Sequence, residues 1–372
     1  MVVKIVLGNI YSKIVGFLPE YIHAELYDVL SYKHPRAYHI PSVKAKKWDG
    51  VFRLYYRKRG QQFYTGLLAY VRQIFKDNNI EYKIIDDRDV PSKNYHELQF
   101  SPTKKYEERD YQTVTVNRSQ NFTRGVLSMA TGAGKTMVAT KLISEIQTYP
   151  FIFFVLTKDL MEQAHDSLSS NLNVPIGRIG DGQCDIKKIS VCTVQTAIRA
   201  MHEADKSFKI SDYKFDAEDK WNEKAIQSSD KADKIRKLIR LSKGLIVDEC
   251  HHASAQTVKE VLVYAKNAYW RFGATATPYR EDGDEIMIQA MFGAKIVDIS
   301  ASYLIKKGHL IKPYIIFEPI DSAINYHTYS KIYKHCVVIM MISIIMLLIL
   351  LTILYLVILV HWFWYSSIIK VT

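Results

Sequence analysis

Two short clusters of residues have types and spacing suited to phosphate chemistry. In Thr131-Gly132-Ala133-Gly134-Lys135-Thr136, glycines precede a lysine and a hydroxyl, between an apolar run at 126–129 and helical spacing over 136–145. Glycines there let backbone N–H groups wrap a β-phosphate, and a helix N-terminus adds partial positive charge. Lys135 can reach β and γ oxygens, and Thr136 can ligate Mg²⁺. A full P-loop pattern has a further glycine where Met129 stands. The second cluster, Leu245-Ile246-Val247-Asp248-Glu249-Cys250-His251, is an apolar strand ending in adjacent carboxylates. Asp248 is placed to hold the hydration shell of Mg²⁺, and Glu249 to orient and deprotonate an attacking water. The expected cofactors are ATP and Mg²⁺, with Thr131, Gly132, Ala133, Gly134, Lys135 and Thr136 around the phosphates and Thr136 and Asp248 on the metal.

These residues need elements that bring their ends together. From about Arg109, apolar strands at 126–129, 151–156, 189–193, 244–247 and 271–274 alternate with helical patterns at 136–145, 160–168 and 258–263. Such alternation predicts an α/β domain with a parallel sheet covered on both faces. The charged stretch 200–242 reads as an exposed helical insertion. A third segment, Gly273-Ala274-Thr275-Ala276-Thr277-Pro278, again ends an apolar strand.

The chain has 372 residues and a net charge of +12, so acidic partners come first. Residues 33–59 hold nine basic side chains against Asp49 alone, among them Lys44, Lys46, Lys47, Arg53, Arg57, Lys58 and Arg59. Tyr38, Trp48, Phe52, Tyr55 and Tyr56 are interleaved with them, and Trp48-Asp49-Gly50 reads as the turn of a basic β-hairpin. Helical spacing over 67–78 and a strand over 80–85 complete a small α+β domain over 1–95, suited to phosphate contacts and base stacking. Phe52 reads more readily as core than as a base contact. Cys184, Cys192, Cys250 and Cys336 form no C-x-x-C pair, which argues against a zinc knuckle or a disulfide framework and for a reducing compartment.

The three chemical segments resemble motifs I, II and III of superfamily 2 helicases, with a D-E-C-H box. The resemblance implies a RecA-like P-loop domain over 100–312, with a remnant of a second over 313–338. It implies that Arg109 and Gln112, in Arg109-Asp110-Tyr111-Gln112, read adenine, and that His251, Thr275 and Thr277 couple hydrolysis to movement. Thr157 and Lys158, in a motif Ia-like segment, and Thr193 and Gln195, in a motif Ib-like one, would touch the nucleic-acid backbone. Trp48-Asp49-Gly50, Gly66-Leu67-Leu68 and the stretch from Thr277-Pro278-Tyr279-Arg280 to Pro313 are similar to phage branched-DNA helicases of the UvsW type. That likeness implies an ATP-dependent helicase or translocase on branched or duplex DNA, with single strands also open, in recombination, repair or replication.

Two features remain outside that pattern. No Q-x-x-x-R-x-x-R segment follows, so the arginine fingers of the family are missing from the sequence and this chain alone is expected to hydrolyse little ATP. From Cys336 to Ile369, 29 of 34 residues are apolar and none is charged. That apolar helical tail, 339–372, reads as out-of-frame sequence on a truncated helicase, or as a transmembrane helix. The N-terminus lacks the pattern of a signal peptide, and the expected location is the cytoplasm, the host's for a phage protein, with the membrane as alternative. A non-catalytic DNA-binding protein and a membrane-anchored P-loop nucleotide-binding protein stay open as other functions.

Overall fold

The computed structural model describes residues 2–34, 37–103, 107–203, 230–254, 256–277 and 285–313, together with 346–347, 349–353 and 355. Met1–Lys312 is one compact unit and Pro313–Thr372 another. Both the expected second-domain remnant and most of the apolar tail fall outside the described residues. Among the described residues, no helix is long and apolar enough to cross a membrane.

The first lobe starts with β1 (Val3–Leu7), β2 (Tyr11–Val15), α1 (Glu20–Val29), β3 (Ser31–Lys33) and α2 (Pro41–Lys44). It continues through β4 (Val51–Arg53), β5 (Tyr55–Tyr56), β6 (Gln62–Tyr64), α3 (Leu68–Asp77) and β7 (Tyr82–Asp86). Five strands pair in the order β5-β6-β2-β1-β7. The apolar spacing expected for 67–78 is realised in α3, which buries Val71, Ile74 and Phe75. The hairpin reading needs correction. β4 pairs antiparallel with β3 through Tyr32↔Phe52, so Trp48-Asp49-Gly50 leads into a strand whose partner lies beyond α2. The aromatic side chains explain the choice: Phe52 stacks on Tyr32 at 5.1 Å and meets Trp48 edge-on at 4.9 Å.

His23 is buried in this lobe, with Nδ1 2.8 Å from the Tyr55 hydroxyl. Burial pushes its pKa below the ordinary 6.5, so the folded lobe holds a neutral imidazole. As pH falls through about 6.5 the unfolded chain takes up a proton that the folded chain refuses, and stability falls. Melting curves between pH 8 and pH 5.5 should show this loss in the wild type and a flatter dependence in His23→Gln.

The second lobe runs α4 (Asp110–Phe122), β8 (Arg124–Met129), α5 (Lys135–Ile146), β9 (Phe151–Val155), α6 (Lys158–Asn171), β10 (Ile176–Gly180) and β11 (Gln183–Asp185). Next come β12 (Ile189–Thr193), α7 (Val194–Glu203), α8 (Lys231–Leu241), β13 (Gly244–Asp248) and α9 (Gln256–Tyr264). It closes with β14 (Trp270–Thr275), α10 (Glu285–Phe292), β15 (Lys295–Ile299) and α11 (Ala301–Lys306). Eight strands pair in the order β11-β10-β12-β9-β13-β14-β8-β15, all parallel except for the β10–β11 pair. Successive residues of its central strands enter opposite cores: Ile152 and Phe154 one, Phe151, Phe153 and Val155 the other. This explains the unbroken apolar runs, since a parallel sheet is covered on both faces.

The charged insertion also needs correction at its end. α8 buries Ile235, Leu238 and Ile239 despite its lysines, because apolar residues recur at helical spacing on one face. Residues 204–229 of that stretch lie outside the described residues. The first lobe's core is continuous with one face of the large sheet, through residues such as Val126, Ile288 and Phe292.

Candidate active site

In a parallel sheet the carboxyl ends of the strands share one edge, and ligands gather there where neighbouring strands send their connections apart. β8, β13 and β14 end at this edge, with β14 between the other two. After β8 the chain turns through Gly132 and Gly134, at φ +82° and +81°, a left-handed conformation that favours glycine. A Cβ on Gly134 would stand 2.7 Å from Gln112 Nε2. Gly134 is also the N-cap of α5, and no side chain caps the first turn. The N–H groups at that turn are a natural cradle for phosphate oxygens, so the loop fits the nucleotide. Met129, where a full P-loop pattern has glycine, is a fully buried core residue at the end of β8.

The segment before α4 braces this loop. Arg109 Nη1 donates to Gly132 O at 3.1 Å and to the Tyr111 hydroxyl at 2.9 Å. That hydroxyl and Gln112 Nε2 both donate to Ala133 O, at 3.0 and 3.1 Å. Gln112 Oε1 accepts the Arg109 backbone N–H at 3.3 Å, and the side chain is 3% exposed. Arg109 and Gln112, expected at the base, are therefore brought onto the phosphate loop itself. Tyr111, between them in the same segment, shares that work through its hydroxyl.

The second and third segments converge on the same edge. Lys135 Nζ lies 2.5 Å from Glu249 Oε1. Glu249 has φ +50°, a conformation costing a non-glycine residue about 1–2 kcal/mol, and its N–H donates to Asp248 Oδ1 at 3.0 Å. Burial raises the Asp248 carboxyl above its ordinary range, against the pull of Lys135. His251 Nδ1 lies 3.0 Å from Thr275 Oγ1 and 3.3 Å from Glu249 Oε2. Thr275 Oγ1 in turn accepts from Thr277 N–H at 3.1 Å. A continuous path thus runs from the candidate base to the end of β14. Gly273 permits it, because a Cβ there would come within 2.7 Å of Cys250. Thr136 stands half-buried in the first turn of α5. Among the described residues, no group of three or more His, Cys, Asp or Glu gathers as a metal cluster. Thr136 and Asp248 would hold Mg²⁺ together with nucleotide oxygens and water.

The expected backbone-contact residues divide. Thr157 Oγ1 accepts the Leu160 N–H as the N-cap of α6, and the Thr193 hydroxyl donates to Thr196 Oγ1 at 2.8 Å and is 6% exposed. Both hydroxyls serve helix starts, the ordinary fate of a threonine before a helix. Lys158, ion-paired with Asp181, and Gln195 face solvent. In the basic stretch, Lys44, Lys46, Lys47, Arg53, Arg57, Lys58 and Arg59 are all exposed. Arg53 is paired with Asp49, and Arg57 forms two bonds of 2.6 and 2.8 Å to Glu20.

One feature had no signal in the motifs. A pocket of about 530 Å³ opens beside Thr131, lined also by Ser128, Thr277, Asp298 and Ser300. Asp298 accepts from Ser128 Oγ at 2.9 Å and pairs with Lys295 at 2.6 Å. Its wall is β15, a short strand with charged residues at both faces of its run, which no alternation marks.

Residues 101–280 match the family model for the res subunit of type III restriction enzymes. The DNA 3'-5' translocase XPB2 of Sulfurisphaera tokodaii is 28% identical over 262 residues, 69% of this chain and 52% of that protein. Residues 101–280 thus form a domain similar to those of superfamily 2 helicases. This domain and the lobe before it share their fold with the UvsW helicase of bacteriophage T4. One crystal structure of that protein superposes with TM-score 0.58 at 19% identity, over 79% of this chain and 99% of that one. A second superposes with TM-score 0.57 at 18% identity, over 79% of this chain and 56% of that one. The chain spans about half the length of the translocase it matches. Helicases of this superfamily use ATP, which agrees with the P-loop geometry.

Proposed function

We propose that this chain is the ATP-binding and DNA-engaging part of a DNA helicase or translocase that acts on branched or duplex DNA. The observation that carries the reading is the convergence of Lys135, Asp248, Glu249, His251 and Thr275 on one sheet edge, with Lys135 and Glu249 2.5 Å apart. Bound Mg-ATP would supply the transferable phosphoryl group. Lys135 would neutralise phosphate charge, Thr136 and Asp248 would hold the ion, and Glu249 would orient water and take its proton. The path from Glu249 through His251 to Thr275 and Thr277 passes the change in the site to the rest of the lobe. Movement from 3' to 5' is proposed from the named translocase, and the cytoplasm is proposed as the place of action.

The first lobe is proposed as a DNA-binding domain that holds the duplex through the exposed cations of 44–59. Lys44, Lys46, Lys47, Lys58 and Arg59 carry more of that contact than Arg53 and Arg57, which already face carboxylates. Each phosphate contact adds about 0.9 to the slope of log K against log salt. The triple variant Lys44→Ala, Lys46→Ala, Lys47→Ala should therefore lower that slope by about 3, measured by fluorescence anisotropy on a duplex. An unchanged slope would remove the DNA role from this cluster.

A further inference from the structure

The segment Val15-Gly16-Phe17-Leu18-Pro19-Glu20-Tyr21 joins β2 to α1 and sends its apolar side chains in opposite directions. Leu18 is 3% exposed and anchors the segment in the core, while Phe17 is 83% exposed, with Val15 and Tyr21 at 50% and 58%. Single exposed apolar residues are ordinary on protein surfaces. Three of them within seven residues, around a segment tied down at two points, are not.

Both ties lead to one neighbour. Gly16 O accepts from Gln61 Nε2 at 3.2 Å, and the Glu20 carboxylate holds Arg57 through two bonds. Gly16 itself sits at φ +132°, where only glycine is at ease, and Pro19 sets the entry into α1. Arg57 opens the short helical turn Arg57–Arg59, capped by Gly60 at φ +78°. The exposed ring therefore belongs to the same feature as Arg57, Lys58 and Arg59, of which Glu20 neutralises the first.

A surface that pairs an open aromatic face with adjacent cations matches nucleic acid, whose bases offer flat apolar faces and whose backbone offers phosphates. In a continuous duplex the base faces cover one another. They open where the strands part, and there an apolar side chain can cap the last pair. We propose that Phe17 is a stacking wedge that covers the last base pair of a duplex at a branch, with Lys58 and Arg59 on the flanking phosphates. The lobe thereby selects branched over linear DNA. The inference rests on the DNA-engaging function proposed above.

The full chain is titrated by fluorescence anisotropy against a forked DNA and a linear duplex of equal length, as wild type, Phe17→Ala and Phe17→Trp. The wild type and Phe17→Trp are expected to prefer the fork by about tenfold, and Phe17→Ala to bind both alike. In Phe17→Trp, the added indole emission should be quenched by the fork and not by the linear duplex. Phe17→Ala keeping the full fork preference overturns the wedge and leaves the DNA-binding reading standing. A wild type without salt-sensitive binding to either DNA overturns both. Because Phe17 lies almost wholly in solvent, its variants should melt as the wild type does.

Discussion

Glu249→Gln is expected to retain ATP and lose its hydrolysis, with the single-turnover rate falling by about 10²–10⁴ as the general base is removed. The geometry adds a second expectation that a motif alone does not contain. Lys135 Nζ is held 2.5 Å from Glu249 Oε1, so the lysine must leave one anion to bind another. Replacing the carboxylate by a carboxamide removes that competitor, and nucleotide affinity should stay level or rise. Lys135→Ala removes the phosphate's cation instead and should lose binding and hydrolysis together. Fluorescent-nucleotide binding and single-turnover assays with protein in excess separate the two cases. A fall of less than tenfold in Glu249→Gln would assign the base elsewhere.

The largest effect on stability is expected at a residue that touches neither nucleotide nor DNA. Gly66 lies buried in the turn before α3, against the backbone of α10. A Cβ there would stand 2.0 Å from Gln289 O and 2.6 Å from Ala290 O, both main-chain atoms that cannot swing aside. Gly66→Ala therefore has to push the first lobe away from the second, disturbing a core that both share. A loss of about 3 kcal/mol follows from overpacking of this kind. With an unfolding entropy of about 2.1 cal/mol/K per residue, a chain of this size loses roughly 4 °C of Tm, readable by calorimetry. Gly60→Asn is the control: Gly60 has φ +78° with nothing within 4 Å of a Cβ, and asparagine tolerates that conformation. It should melt close to the wild type.

These two residues mark how far sequence reading reaches. The strand, turn and helix around Lys135 are legible because three local signals coincide: an apolar run, glycines and helical spacing. β8 and α5 accordingly begin within two residues of their expected positions. The D-E-C-H box is legible for the same reason, as a short apolar strand ending in carboxylates. Where partners are distant, reading fails. Trp48-Asp49-Gly50 carries the signature of a hairpin turn, yet Val51 to Arg53 pair with a strand beyond α2, because stacking of Phe52 on Tyr32 outweighs the local turn. The lysines of α8 conceal a buried face.

By itself the sequence determined the chemistry available to this protein. Residue types that bind phosphate, hold Mg²⁺ and activate water occur in short runs whose local geometry follows from their own glycines and apolar periods. Only the tertiary structure decided which of them meet. The order of strands puts β14 between β8 and β13, which carries Lys135 to Glu249 and His251 to Thr275 across more than a hundred and about two dozen residues of chain respectively. It also makes Gly66 indispensable for closeness rather than for its backbone angle, and turns Phe17 outward beside a cluster of cations. The physical reason is range. Periodicity and turn chemistry act over a few residues, whereas strand order, close backbone approach and the exposure of a ring are set by packing between segments that the chain brings together only when folded.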